Sequence, residues 1–286
     1  WDSGCNPSVG DSAAGEGDSM KEKDRTLLRT ADELARTVDA LAIISFLNKD
    51  SDLILETPVV WVRDIQLEIL RNHTMVALVD YCSNHILDAV IQYKILTKIK
   101  SGTVVAVFPY ALLIYDIEDT NDQFNIEQYA DIADLDALHA VLSLALEIAR
   151  EGREGRAIGT AFIIGEIEEL KRWSHQSVLN PYEGHPESVR DVRVKENWES
   201  IKEFAQLDGV FLIDKDGIIG ASGRYLDADG RDVNLQSGLG GRHLAAAAIT
   251  KVVPAIGITV SESGGNVRVF VAGTTIAQIR TDIRLS

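Results

Sequence analysis

Asp208-Gly209-Val210 places a carboxylate and a glycine at the head of an apolar run, Phe211-Leu212-Ile213. Further along, Gly238-Leu239-Gly240-Gly241 leads into Arg242-His243-Leu244, and Val260-Ser261-Glu262 closes the stretch. These residue types suit a polyphosphate. Glycines let the backbone approach phosphate without Cβ clashes, and the first N–H groups of a helix point at the anion with the positive end of the dipole behind them. Arg242 offers a planar fork for phosphate oxygens, and His243 a donor that can also carry charge. Cations in a first helical turn oppose the dipole, so placing two there favours an anion nearby. Asp208 can hold a divalent metal over the phosphates or orient an attacking hydroxyl. Each residue also has a plainer role: Asp208 as a turn residue, Arg242 and His243 as ordinary helix residues, Glu262 as part of a hairpin.

The ordered set resembles the diadenylate cyclase (DAC) domain family, which condenses two ATP into cyclic di-AMP and whose usual motifs are Asp-Gly-Ala and Arg-His-Arg. Asp208-Gly209-Val210 matches the first with Val for Ala, and Arg242-His243-Leu244 matches the second in two positions of three. Gly223-Arg224-Tyr225-Leu226, Ala245-Ala246-Ala247 and Val260-Ser261-Glu262-Ser263-Gly264-Gly265 follow in the expected order. Upstream, Glu151 to Arg156 with Gly159-Thr160, and Val178 to Pro181 with Gly184-His185-Pro186, look like the entrance to the same domain. Gly241 stands where the family often has Thr, Leu244 replaces the second Arg, and Ser263 stands where many members have a second Glu. These departures fit either an archaeal-type branch of the family or a nucleotide-binding regulator that has lost rate.

The resemblance implies roles. Asp208, Arg242 and His243 are the expected catalytic residues, and Asp208 with Glu262 the expected holders of Mn²⁺ or Mg²⁺. The polyphosphate would lie against Gly238, Gly240, Gly241, Arg242 and His243, with Ser261 beside it. Sugar and base would lie near Gly209, Gly223, Arg224, Tyr225 and Leu226. The expected partners are ATP and a second copy of the chain, in a homo-oligomer whose DAC domains meet face to face.

Elements must hold these residues in place. A helix is expected over Asp134 to Arg150, with Asp134 as N-cap, a stripe through Leu135, Leu138, Val141, Leu142, Ala145 and Ala149, and Gly152 as stop. Ala157 to Ile164 reads as a core strand, Ile167 to Trp173 as a short helix, and Asn180 to Pro186 as a loop. An amphipathic helix carrying Val194, Trp198, Ile201 and Phe204 delivers the chain to Asp208. Asp214-Lys215-Asp216-Gly217 has the chemistry of a hairpin turn, and strands Ala255 to Val260 and Val267 to Val271 complete a mixed sheet flanked by helices.

Residues 20–132 alternate between helical and strand-like segments, and 133–286 form the second unit. Leu27, Ala31, Leu34 and Val38 make a helical stripe; Leu41 to Phe46, Pro58 to Val62, Met75 to Val79 and Thr103 to Phe108 read as strands, with helices at Ile65 to Leu70 and Ile86 to Ile99. The alternation predicts an α/β domain with a parallel sheet. It resembles the small domain at the C-terminal end of pyruvate kinase found in archaeal diadenylate cyclases, with a regulatory or architectural role. Residues 1–19, rich in Ser, Gly, Asp and Ala, read as a disordered tail.

With 44 acids against 28 bases the net charge is −16, which argues against a general nucleic-acid or anionic-membrane surface. No apolar run approaches the length of a membrane span and nothing resembles a signal peptide, so the expected location is the cytoplasm, without membrane or nucleic-acid partners. Cys5 and Cys82 suggest neither a disulfide frame nor a zinc site.

Overall fold

The computed structural model describes residues 22–48, 52–63, 75–99, 101–109, 111–117, 125–231, 233, 235, 238–262, 265–281 and 284–285. The sequence expectations for residues 1–19, Ile65 to Leu70 and Ser263 lie outside them.

In the first part, helix α1 (Glu22–Thr37) precedes β1 (Ala42–Ser45) and β2 (Val59–Arg63), and helix α2 (Met75–Thr97) precedes β3 (Thr103–Phe108) and β4 (Ala111–Asp116). β1 lies between β2 and β3 and pairs with both in parallel. Covered on both faces, it is buried at every residue, which is why it reads as an unbroken apolar run. The sheet differs from the wholly parallel expectation at its edges. β4 returns antiparallel along β3, and β12 (Arg284–Leu285), from the far end of the chain, pairs antiparallel with β2. Met75 to Val79 is a correction: the segment forms the first turns of α2. A short apolar run has no period of its own, and here the helical phase through Cys82, Ile86, Ala89 and Val90, all buried, extends back through it.

Asp32 on α1 is a buried carboxylate that accepts from the backbone N–H of Thr57 at 2.9 Å and of Glu56 at 3.2 Å. Burial pushes its pKa up, but the Thr57 and Glu56 hydrogen bonds and the charge of Arg36 outweigh it, so the net shift is downward. The carboxylate pins the approach to β2 onto α1.

The second part begins with α3 (Leu135–Glu151), whose N-cap Asp134 accepts from Ala137 N–H at 2.9 Å and whose C-cap Gly152 takes φ +58°, a conformation that favours glycine. It continues through β5 (Thr160–Gly165), α4 (Ile167–Arg172), β6 (Ser174–Gln176), α5 (Trp198–Phe204), β7 (Val210–Ile213), β8 (Ile219–Leu226), α6 (Gly241–Val252), β9 (Ala255–Val260), β10 (Val267–Val271) and β11 (Thr274–Ile279). The seven strands form one mixed sheet in the order β11-β10-β9-β5-β7-β8-β6. β5 and β7 are parallel, and the remaining pairs antiparallel. Alternate residues serve opposite faces: Phe162, Ile164, Ile256 and Ile258 join the core under α3, while Ala161, Ile163 and Ala255 join the core under α6.

The two parts touch. The Gln92 side chain on α2 donates to the Arg280 carbonyl, and Lys98 pairs with Asp136 at 2.6 Å. Among the described residues no helix is long and apolar enough to cross a membrane.

Candidate active site

Three neighbouring strands bring the polar residues together at one end of the seven-stranded sheet. Phe162 pairs with Phe211 across β5 and β7, so the residues three positions earlier, Gly159 and Asp208, enter the sheet side by side. Thr160 pairs with Val260 across β5 and β9, which sets Ser261 and Glu262 at the same end. Because β9 runs opposite to β5, its exit meets the entrances of β5 and β7. The N-terminus of α6 lies against this end.

Arg242 links the group. Its Nη2 donates to Asp208 Oδ1 at 3.4 Å, and the Asp208 side chain is 77% exposed. A Cβ built on Gly159 would lie 3.4 Å from Arg242 Nη1 and 3.2 Å from Glu262 Cβ, both tighter than ordinary packing. Gly159 therefore forms the floor on which Arg242 and Glu262 sit together. It was read from sequence only as part of the domain's entrance; its proximity to two charged residues depends on the β5–β9 register.

Gly209 takes φ +103°, and a Cβ there would meet Arg224 O at 2.6 Å and Arg224 N at 2.7 Å. Only glycine lets the turn after Asp208 pass this close to β8. Gly223, Tyr225 and Leu226 lie on β8 near this turn, with Tyr225 exposed and ring-stacked on His175 at a centroid distance of 5.9 Å. The guanidinium of Arg224 is occupied elsewhere: it donates to Ser174 Oγ at 2.9 Å and to the carbonyls of Ser174 and Lys171 at 2.5 and 3.1 Å. Its side chain fastens the edge strand β6.

Gly240 caps α6 without any side-chain hydrogen bond, and among the described residues nothing lies within 4 Å of Cβ atoms built on Gly238, Gly240 or Gly241, so this helix start is uncrowded on those sides. His243 turns the other way. It is 6% exposed, its ring packs edge-on to Phe270, and its Nε2 lies 3.4 Å from Arg268 Nη1. Burial, helped by the Arg268 charge, pushes its pKa down to about 4. The expectation of a second cation at His243 is thus corrected: the ring is neutral near pH 7. Helical phase carries the missed signal, because His243, Ala246, Ala247 and Thr250 share one buried face.

Residues 147–275 match the family model DAC, described as "DisA bacterial checkpoint controller nucleotide-binding", and residues 26–118 match one described as "Probable sensor domain DacZ_A". Over residues 147–275 the chain is thus similar to the DAC family. The chain is similar to a protein named diadenylate cyclase from Methanocaldococcus jannaschii, 46% identical over 139 residues, covering 49% of this chain and 44% of that protein. It is also similar to a diadenylate cyclase from Haloferax volcanii, 36% identical over 147 residues, covering 51% of this chain and 54% of that one. The matches thus span about half the length of these relatives. A crystal structure of a DacA double mutant from Staphylococcus aureus is 17% identical with a TM-score of 0.35, covering 51% of this chain and 87% of that one.

Among the described residues no group of three or more His, Cys, Asp or Glu side chains is arranged to hold an ion. The donor chemistry nevertheless fits a hard cation shared with a ligand. Asp208 and Glu262 are exposed carboxylates at the same end of the sheet, and Mg²⁺-type ions are commonly held by one or two carboxylates plus substrate phosphates.

Proposed function

We propose that this chain is a diadenylate cyclase, condensing two ATP into cyclic di-AMP and releasing two pyrophosphates. The observation that carries the reading is the meeting of Asp208, Arg242 and Glu262 around Gly159, beside a helix start whose backbone is open to an anion. The names of the two curated relatives support the same chemistry.

Each protomer would bind one ATP, with its polyphosphate against Gly238, Gly240, Gly241 and Arg242 and its sugar and base near Gly209 and the Gly223 to Leu226 strand. Two protomers then face each other. Each ribose 3′-OH attacks the α-phosphate of the opposite ATP, so that two 3′-O–P bonds form, two α–β bridges break, and two protons leave. Asp208 orients the hydroxyl and accepts its proton, and Arg242 stabilises charge on the departing pyrophosphate. His243, neutral in its buried place, serves as a hydrogen-bond donor and a wedge for the start of α6. Asp208 and Glu262 would hold Mn²⁺ or Mg²⁺, which supplies charge neutralisation along the polyphosphate when bound.

Incubation with ATP and Mn²⁺ followed by chromatography tests the reaction. Cyclic di-AMP is the expected product; ATP binding without turnover would instead support a regulatory nucleotide-binding protein, the reading favoured by Gly241 and Leu244. A dilution series tests the assembly. Well below the dimer dissociation constant, with ATP saturating, initial velocity should rise with the square of enzyme concentration. A monomer giving product with first-order dependence would exclude the facing arrangement.

A further inference from the structure

Beneath the start of α6 lies a charge that neither the proposed chemistry nor the core explains. Arg268, on β10, is only 9% exposed, and among the described residues no carboxylate pairs with it. Its contact with His243 Nε2 at 3.4 Å is to a neutral ring. Thr259, its register partner on β9, has a buried hydroxyl without a hydrogen-bond partner. A buried guanidinium without an anion is costly, and such groups are normally paired. Through His243 the guanidinium reaches the first turn of α6, where Cβ atoms built on Gly238, Gly240 and Gly241 would meet no described residue within 4 Å.

The contact also fixes a proton. A guanidinium has only donors, so His243 Nε2 must accept, and the ring proton must sit on Nδ1. Arg268 thus keeps His243 in one tautomer and stands behind the first turn of α6 as a fixed positive charge. Leu244, one residue beyond His243, is 40% exposed and brings no charge of its own.

We propose that Arg268 is a positioning residue of the phosphate site: it supplies, from beneath, the second cation absent from the exposed turn of α6, and it locks the buried His243 that anchors that turn in its Nδ1–H tautomer. The proposal rests on the polyphosphate reading of that helix start and deepens it. The bound anion completes a charge pair whose protein half is already buried, so that Arg242 grips from the surface and Arg268 attracts from within.

Binding of inorganic tripolyphosphate to the full chain, measured by calorimetry, tests this separately from turnover. Arg268→Gln should weaken binding by about tenfold, Arg268→Lys should retain most of it, and Leu244→Arg added to Arg268→Gln should restore part of the loss. A folded Arg268→Gln chain that binds tripolyphosphate like the parent, or a parent that does not bind it, would overturn the proposal. Nitrogen NMR of the unaltered protein gives a check independent of any variant's folding: His243 should show a protonated Nδ1 and a bare Nε2, and the reverse tautomer would also overturn it. Failure to make cyclic di-AMP, with the tripolyphosphate and NMR results as expected, would remove the cyclase reading and leave the role of Arg268 standing.

Discussion

Asp32, on helix α1 beside the approach to β2, and Asp208, just before β7, are both carboxylates near the mouth of a β-strand, and they are used in opposite ways. Asp32 is buried, with its oxygens taken by the N–H groups of Thr57 and Glu56. Asp208 is open to solvent and, among the described residues, is held only by a 3.4 Å contact from Arg242. The first carboxylate has its bonding capacity spent within the fold, whereas the second keeps most of it for something else. Chemistry is to be sought where polar groups are gathered but left incompletely satisfied.

Exchanging the roles of the two should fail in opposite directions. Asp208→Asn should lower turnover on the order of 10²-fold or more while leaving the melting temperature almost unchanged. A well-folded variant with near-normal rate would take Asp208 out of the mechanism. Arg242→Ala, which removes charge-assisted bonds to phosphate, should weaken ATP handling by about tenfold, read as a rise in KM with a smaller fall in kcat.

Asp32→Ala should do the reverse, costing about 1–3 kcal/mol of stability because two backbone donors lose their acceptor. Specific activity of the folded fraction should hold. The stabilisation should also depend on pH. Asp32 has a lowered folded-state pKa, so its contribution is fully present above the unfolded value of about 3.9 and is lost as pH falls through the folded value. Denaturant melts of parent and variant should therefore differ at pH 7 and converge in strong acid; a gap that stays constant down to pH 2 would assign the stabilisation to packing. The smallest effect belongs to Leu244→Ala, a partly exposed side chain that offers only packing, with turnover expected within about twofold. A Leu244 variant more damaging than Arg242→Ala while still folded would misplace the phosphates.

Much of this contrast was legible in the residues themselves. Asp134, the apolar stripe behind it and Gly152 delimit α3, and Asp214 to Gly217 make the turn between β7 and β8, where Asp214 Oδ1 accepts from the N–H groups of Asp216 and Ile218. Local chemistry of that kind travels with the sequence. What escaped depends on partners distant along the chain. Met75 to Val79 has strand-like residues but opens a helix whose later turns bury Cys82, Ile86, Ala89 and Val90. The edge strands β6 and β11 owe their pairing to neighbours and carry weak patterns of their own.

The candidate site divides in the same way. Asp208, Gly209, Arg242 and Glu262 stand out by type and order. The position of Gly159 under Arg242 and Glu262 follows from register, the engagement of Arg224 with β6 from tertiary packing, and the importance of Arg268 from its burial against His243. No spacing rule links residues 243 and 268.

The antiparallel pairing of β12 with β2 has a consequence for how the chain comes into being. During synthesis the first sheet is made early, but the strand that covers its β2 edge is supplied by Arg284 and Leu285, after the whole seven-stranded sheet has been translated. Until then β2 presents unpaired backbone groups, the kind of edge that recruits other chains. The nascent first unit must wait, exposed on one side, for a partner from the far end of its own polypeptide, and the two sheets are completed together although they are made one after the other. A cut between β4 and α3 would therefore leave the first sheet without β12.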